Sequence, residues 1–310
     1  MTNPIDIALA VDIGGTKIRA AAIDGAGNLI AATRLPADAD QGAAHVLNVI
    51  TASLETLRAQ LDPKRHRIIG LGLSSAGVIE PITGRVVNAA DQIPGWKGTP
   101  LGEIFAAKLA VPTYADNDAN CALVGEAWLG QHQLQSDANV VMLTLGTGLG
   151  GAVMQGGRLI SGKHHLTGHF GLCQLWDPYS ATRVSVEHLV SGTGLGNVYQ
   201  QRHPDQPKTS GETVIALVKA SDSLAIIALD AWLDHLALQL HNLYWMIDPD
   251  LIIIGGGVTD SQALWWPQLL AKLQDNNVMS PIALARLGND AGIIGAAKMV
   301  FDQVNTETRV

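Results

Sequence analysis

Apolar positions change their period along this chain, and each change marks an element. Residues 7–11 form a short apolar run that ends on Asp12. Residues 18–23 and 29–33 are again apolar or alternating, with Gly25-Ala26-Gly27-Asn28 between them. This predicts a strand, a turn at Gly14-Gly15, a second strand, a hairpin and a third strand. Over residues 41–61, Val46, Val49, Ile50, Leu54 and Leu57 fall at helical spacing. Residues 68–73 then predict a strand, followed by Gly77. Residues 101–109 predict a helix, 111–115 a strand and 119–129 a helix.

The pattern then starts afresh. Residues 140–145 predict a strand ending at Gly146-Thr147-Gly148-Leu149-Gly150-Gly151, and 151–154 supply its hairpin partner. Long helical spacing occupies 221–246. Residues 251–254 predict a buried strand before Gly255-Gly256-Gly257, and 291–301 a closing helix. An opening of strand, glycine turn and strand thus occurs twice. That predicts a duplicated α/β fold with a cleft between two halves. The expected division is 1–117 plus about 291–310 against 118–290. No short tandem repeat or low-complexity segment interrupts it.

Composition narrows the class. At 310 residues, with 47% hydrophobic and 15% charged residues, the chain has material for two well-packed domains and does not read as disordered. A net charge of −8 without a basic stripe argues against nucleic acid as a partner. Lys64-Arg65-His66-Arg67 reads as the solvated start of a strand. Two cysteines, Cys121 and Cys173, give no disulfide framework and fit a reducing, cytoplasmic setting. The first residues lack the charged and apolar regions of a signal peptide. The uncharged stretch 138–157 is long enough to cross a bilayer. Its glycines, threonines and asparagine instead fit a turn between two buried strands, so no membrane partner is expected.

The candidate chemistry lies in the glycine loops. A phosphate needs several N–H donors at close range, and side chains obstruct that approach. Gly14 and Gly15 in the first loop, and Gly146, Gly148 and Gly150 in the second, leave it open. Thr16 and Thr147 add hydroxyl donors, and Lys17 adds positive charge. A glycine pair between strands is also an ordinary hairpin turn; two such loops, each after an apolar strand, favour phosphate. Neither loop is a Walker A element or a dinucleotide fingerprint. Asp12 either holds Mg²⁺ against the phosphates or caps the turn. Asp118 is a candidate base for phosphoryl transfer to an alcohol, although local pattern alone favours a helix N-cap. Gly255, Gly256 and Gly257 either lie flat against an adenine or ribose or form a loose loop.

Taken together, Asp12 to Lys17, Asn117-Asp118-Ala119-Asn120, residues 146–151, Gly255 to Val258 and Gly288-Asn289-Asp290-Ala291-Gly292 through Ala296 resemble the ROK (repressor, open reading frame, kinase) family of sugar kinases. The resemblance spans about residues 7–300. It implies an actin-like ATPase fold, itself ribonuclease H-like, with MgATP as donor and a hexose or N-acylhexosamine as acceptor. It also implies a homodimer. In that likeness Asp118 takes the proton of the sugar 6-hydroxyl. Asn117 and Glu187 match sugar-binding positions, Glu187 through Glu187-His188-Leu189-Val190-Ser191-Gly192. Ser75 and Gly77 join the sugar-binding set.

The chain also departs from the family pattern. Where relatives commonly carry Gly-Glu-x-Gly-His and a cysteine cluster for zinc, this sequence has Gly168-His169-Phe170-Gly171-Leu172. His169 replaces the glutamate and Leu172 the zinc-ligand histidine. Cys173 alone cannot build a tetrahedral thiolate site. No structural zinc is therefore expected, and residues 177–186 must hold their shape by packing. His169 either hydrogen-bonds a sugar hydroxyl or is a satisfied structural histidine. N-acetylmannosamine is the favoured acceptor, ahead of glucose and β-glucosides. Two rivals belong to other classes. A family repressor would need a DNA-binding domain ahead of the first loop, and that loop begins at residue 12. A sugar-binding regulatory protein with decayed catalysis is the other rival, and the retained Asp12, Asp118 and both loops count against it.

Overall fold

The computed structural model describes residues 3–89 and 92–307, with side chains through Val304. Residues 1–2 and 308–310, the outer ends of the expected first domain, lie outside the described residues. In chain order the elements begin β1 (Ile5–Ile13), β2 (Lys17–Asp24), β3 (Leu29–Pro36), α1 (Ala43–Gln60), β4 (His66–Ser75), β5 (Val78–Glu80), β6 (Arg85–Asn88), α2 (Leu101–Leu109), β7 (Thr113–Asn117) and α3 (Asp118–Leu129). They continue β8 (Val140–Leu145), β9 (Leu149–Gln155), β10 (Arg158–Leu159), β11 (Gln174–Asp177), β12 (Thr182–Ser185), α4 (Val186–Leu189), α5 (Gly192–Arg202), α6 (Gly211–Lys219) and α7 (Ser223–Ile247). The last are β13 (Leu251–Gly255), α8 (Trp266–Asp275), β14 (Ile282–Leu284) and α9 (Ala291–Glu307).

The chain divides into two compact units, Met1–Leu134 with Gly162–Leu166 and Asn289–Val310, and Gln135–Ser161 with Thr167–Gly288. The first is built on a sheet of order β3-β2-β1-β4-β7, the second on a sheet of order β10-β9-β8-β13-β14. Each sheet has the same plan. Three strands run antiparallel through two hairpins, and two more add in parallel to the first. The repeated opening in the sequence is thus a repeated sheet topology, and the fold is that of the actin-like ATPases.

Apolar runs become strands because both sheet faces are covered. In the first unit, Ile7, Leu9, Val11, Leu71 and Leu73 pack with Ile50, Leu54 and Leu57 of α1 and Phe105 of α2. On the other face Ala8, Ala10, Ala21 and Ile23 meet Ile293, Ala296 and Val300 of α9. Alanines there let α9 lie close to the sheet. Helices α3 and α9 also cross closely. A Cβ on Gly125 or Gly295 would strike the backbone of Ala291 or Cys121 respectively. This packing places α3 in the first unit, whereas the expected boundary at 117/118 gave it to the second.

The second core is formed by Val141, Leu143, Ile252 and Ile254 with Leu229, Trp232, Leu236, Leu240 and Leu243 of α7. By length and composition α7 could cross a membrane. Here those residues line a protein core.

Candidate active site

Strand register gathers the first set of candidates. Asp12 of β1 pairs with Ser74 of β4, which pairs with Asp116 of β7. One position on, Ile13, Ser75 and Asn117 form the next row. These rows lie at the carboxyl ends of three neighbouring parallel strands, where open α/β sheets place ligands. The apolar run 111–115 misplaces β7. The strand covers Thr113–Asn117 and ends in buried polar residues that hydrophobicity could not mark.

Asp12 accepts a hydrogen bond from Ser74 Oγ at 2.8 Å. Burial raises its pKa, against the Ser74 hydrogen bond and the charge of Arg19. A Cβ on Gly292, in the first turn of α9, would stand 3.2 Å from Asp12 Oδ1. The lack of a side chain there keeps the carboxylate clear. Arg19 binds the carbonyl of Asn289 and the carboxylate of Asp290, fixing the approach to α9. The first glycine turn is closed by Gly14 N–H donating to Lys17 O at 3.1 Å, and Gly15, Thr16 and Lys17 are exposed.

The N-cap of α3 is Asn117, one residue ahead of the position that local pattern favoured. Its Oδ1 accepts from Ala119 N at 2.9 Å and Asn120 N at 3.4 Å, and its Nδ2 donates to Gly77 O at 2.8 Å. Gly77 has φ +102°, and a Cβ there would press on Asn88 O. Ser75 is fully buried and accepts from Trp96 Nε1 at 3.1 Å. With Asn117 capping, Asp118 is the first helical residue, exposed, with one oxygen accepting from Ala119 N at 2.9 Å. Surrounding protein pushes its pKa up to about 6, through desolvation first and the charge of Asp12 in addition, while the Ala119 hydrogen bond opposes. Its remaining exposed surface keeps the carboxyl accessible to a reactant.

In the second unit the loop Gly146-Thr147-Gly148 joins β8 to β9, closed by Gly146 N–H donating to Gly148 O at 3.0 Å. The start of α5 docks on it, with Gly192 N–H donating to Gly146 O at 2.7 Å. Glu187, half-buried in α4, reaches the same loop: its Oε2 accepts from Leu149 N at 3.4 Å. A Cβ on Gly148 would lie 2.9 Å from that oxygen. Gly150 continues the loop into β9, opposite Thr144. Gly255 is buried at the end of β13, opposite Thr144 on its other side. Gly256 has φ +89° and lies against the Leu145 backbone, and Gly257 opens a 3₁₀ turn.

His169 follows Gly168, whose φ of +91° and contact with Gly151 turn the chain into a short 3₁₀ turn, Phe170–Leu172. The His169 Nδ1 is buried and has no partner. Leu172 is 62% exposed and Cys173 is exposed. Among the described residues no three His, Cys, Asp or Glu side chains stand together as a metal site.

The structure thus brings Asp12, Ser75, Asn117 and Asp118 to one sheet end, with Gly77 beside them. It brings Gly146, Thr147, Gly148, Gly150 and Glu187 to another, with His169 on the turn beside Gly151. Sequence reasoning missed Ser74 and Arg19, because only the register and the return of α9 reveal what they touch.

Residues 8–303 match the ROK family. A glucokinase of Halalkalibacterium halodurans is 27% identical, over 96% of this chain and 96% of that protein. An N-acetyl-D-glucosamine kinase of Escherichia coli strain HS is 31% identical, over 92% and 96%. A solved structure from Listeria monocytogenes, of a protein proposed to be an N-acetylmannosamine kinase, superposes with a TM-score of 0.80 at 26% identity, over 96% of this chain and 100% of that one. The chain belongs to the ROK family. It is a sugar kinase of the ROK type, an ATP-dependent carbohydrate kinase.

Proposed function

We propose that this kinase phosphorylates the 6-hydroxyl of a hexose or N-acylhexosamine, with N-acetylmannosamine the preferred acceptor. The observation that carries the reading is Asp118, an exposed carboxylate at the start of a capped helix with its pKa raised to about 6. A base must be ionised yet willing to take a proton, so a pKa just below neutrality suits it.

In this reading Asn117, Glu187, His169, Ser75 and Gly77 bind and orient the sugar. The unpartnered His169 Nδ1 then gains a hydroxyl partner, which removes the cost of leaving a buried polar atom unpaired. The loops Gly14-Gly15-Thr16-Lys17 and Gly146-Thr147-Gly148, with Gly150, hold the ATP phosphates through backbone N–H groups, hydroxyls and one lysine. Gly255, Gly256 and Gly257 lie against the nucleoside. Asp12 would hold Mg²⁺ through the nucleotide or water, and the ion would supply positive charge to offset that of the phosphates. Asp118 accepts the hydroxyl proton as the sugar oxygen bonds to the γ-phosphorus, and the bond from that phosphorus to the bridging oxygen breaks to release ADP.

No zinc is assigned to residues 168–187, since Leu172 and Cys173 do not supply the ligand set. The protein works in the cytoplasm, as a homodimer, without nucleic-acid or membrane partners. A second reading, N-acetylglucosamine as acceptor, is favoured by the 31% identity to the Escherichia coli kinase. Coupled ADP release over a panel of hexoses, N-acylhexosamines and β-glucosides separates them. The highest kcat/KM is expected with N-acetylmannosamine. Flat, background rates across the panel would leave a sugar-binding protein without catalysis.

A further inference from the structure

The hairpin β11–β12 stands between His169 and Glu187, and it is held in an unusual way. Only Leu175 and Val184 of its strands pack on the core, while Trp176 is 61% exposed and Tyr179 50%. A two-stranded hairpin with so little buried surface is marginal by itself. At its tip Asp177 has no exposed surface. Oδ1 accepts from Tyr179 N at 3.0 Å; Oδ2 accepts from Ser180 N at 3.3 Å, Ser180 Oγ at 2.7 Å and Gln201 Nε2 at 2.9 Å. The first three bonds shape the turn. The fourth crosses to the last turn of α5. Beside it the Arg202 guanidinium stacks 4.3 Å from the Tyr179 ring centroid and donates to its hydroxyl. Burial alone would raise the Asp177 pKa; the hydrogen bonds from Ser180, Tyr179 and Gln201 outweigh it and hold the carboxyl below its ordinary value.

The hairpin leads directly into both sugar-binding candidates. Its base is closed by Val186 N–H donating to Cys173 O at 2.7 Å. His169 lies just before that closure and Glu187 just after it. The two segments also touch, since a Cβ on Gly171 would stand 3.2 Å from Glu187 Cβ. We infer that Asp177 is a positioning residue for the sugar: through Gln201 it clips the hairpin to α5, and so fixes His169 and Glu187 in one arrangement. The inference rests on the sugar-binding roles proposed above for those two residues. A buried carboxylate with a full set of donors is a rigid anchor, because any movement leaves donors and acceptor unpaired.

The test reverses the direction of the clip. Gln201→Glu sets carboxylate against carboxylate, and Gln201→Ala removes the bond without adding charge. Asp177→Asn combined with Gln201→Glu restores a donor facing an acceptor across to α5, at the cost of the Ser180 N–H bond to the same position. Each single variant is expected to raise the sugar KM about tenfold, equivalent to roughly one hydrogen bond to the sugar. ATP KM and kcat should stay within about twofold, and amide exchange should speed up over residues 168–189. The double variant should recover part of both losses relative to Gln201→Glu, short of wild type because the Ser180 N–H bond is lost. An unchanged sugar KM, a parallel rise in ATP KM, or a double variant no better than Gln201→Glu overturns the inference. Should the wild-type protein phosphorylate no sugar, the proposed function falls. The exchange arm then still decides the clip: faster exchange in both single variants with recovery in the double supports it, and unchanged exchange refutes it.

Discussion

The two units share a strand order and differ in what stands at the strand ends. In the first, the residue one step before the end of the leading strand is Asp12, paired with Ser74. In the second, the corresponding residue is Thr144, paired with Gly255. One sheet thus ends in an acid and a hydroxyl, the other in a hydroxyl and a bare backbone. The first loop is followed by Lys17, whereas the second is touched by Glu187. Sheet topology alone therefore does not make a reactive centre. It supplies two equivalent ledges, and substitution at single register positions ends one in a carboxylate and the other in a hydroxyl and bare backbone.

The largest effect expected from breaking this asymmetry is at Asp118. Asp118→Asn should lower kcat by about 10²–10⁴-fold, the usual worth of a general base, and leave sugar affinity within a few-fold. Coupled ADP release and sugar titration measure the two. Near-wild-type turnover would remove Asp118 from that role. The same variant should gain thermal stability at pH 7. A carboxyl whose pKa is raised in the folded state costs stability above that pKa, and the cost fades as pH falls through about 6 toward 3.8. The gain should therefore vanish near pH 3.5 in thermal melts.

Next in size is the pair Asp12→Ala and Thr144→Val. Losing the carboxylate proposed to hold Mg²⁺ should cost on the order of 10²-fold in kcat/KM, with a raised Mg²⁺ requirement. The Thr144 change at the corresponding position should stay within a few-fold. Equal losses would contradict the distinct roles of the acid at one strand end and the hydroxyl at the other. A smaller, graded effect is expected from pH. The rate should fall on the acid side with an apparent pKa of about 6 as Asp118 is protonated. Because the Asp12 charge helps raise that pKa, Asp12→Asn should move the limb to lower pH in whatever activity remains. Smallest is Gly148→Ala, whose methyl would stand 2.9 Å from Glu187 Oε2. A severalfold rise in sugar KM is expected as Glu187 shifts, measured on the same panel.

Much of the frame is legible in the sequence because apolar period reports burial. Residues 101–109 and 140–145 coincide with α2 and β8 to the residue. The polar end of β7 was not legible, because Asp116 and Asn117 are buried by hydrogen bonds: Asp116 accepts from Asn117 N at 2.7 Å and Asn120 Nδ2 at 2.8 Å. The hairpin β11–β12 escaped for the opposite reason. Its strands are largely exposed and its anchor is one acid, so period carries no signal of it. In the candidate site, glycine spacing pointed to both loops. Which residue caps α3 could be settled only by geometry, since Asn117 and Asp118 are both good caps.

The return of α9 to the first sheet has a consequence for how the protein is made. The apolar face bearing Ala8, Ala10 and Ile23, which Cys121 of α3 helps to cover, is closed only when Ile293, Ala296 and Val300 exist. On a ribosome adding roughly 5–20 residues per second, that face waits on the order of ten seconds or more after α3 emerges. The unit begun first is completed last, and a chain stalled before residue 291 would carry a half-covered alanine-rich sheet that chaperones or proteases could find.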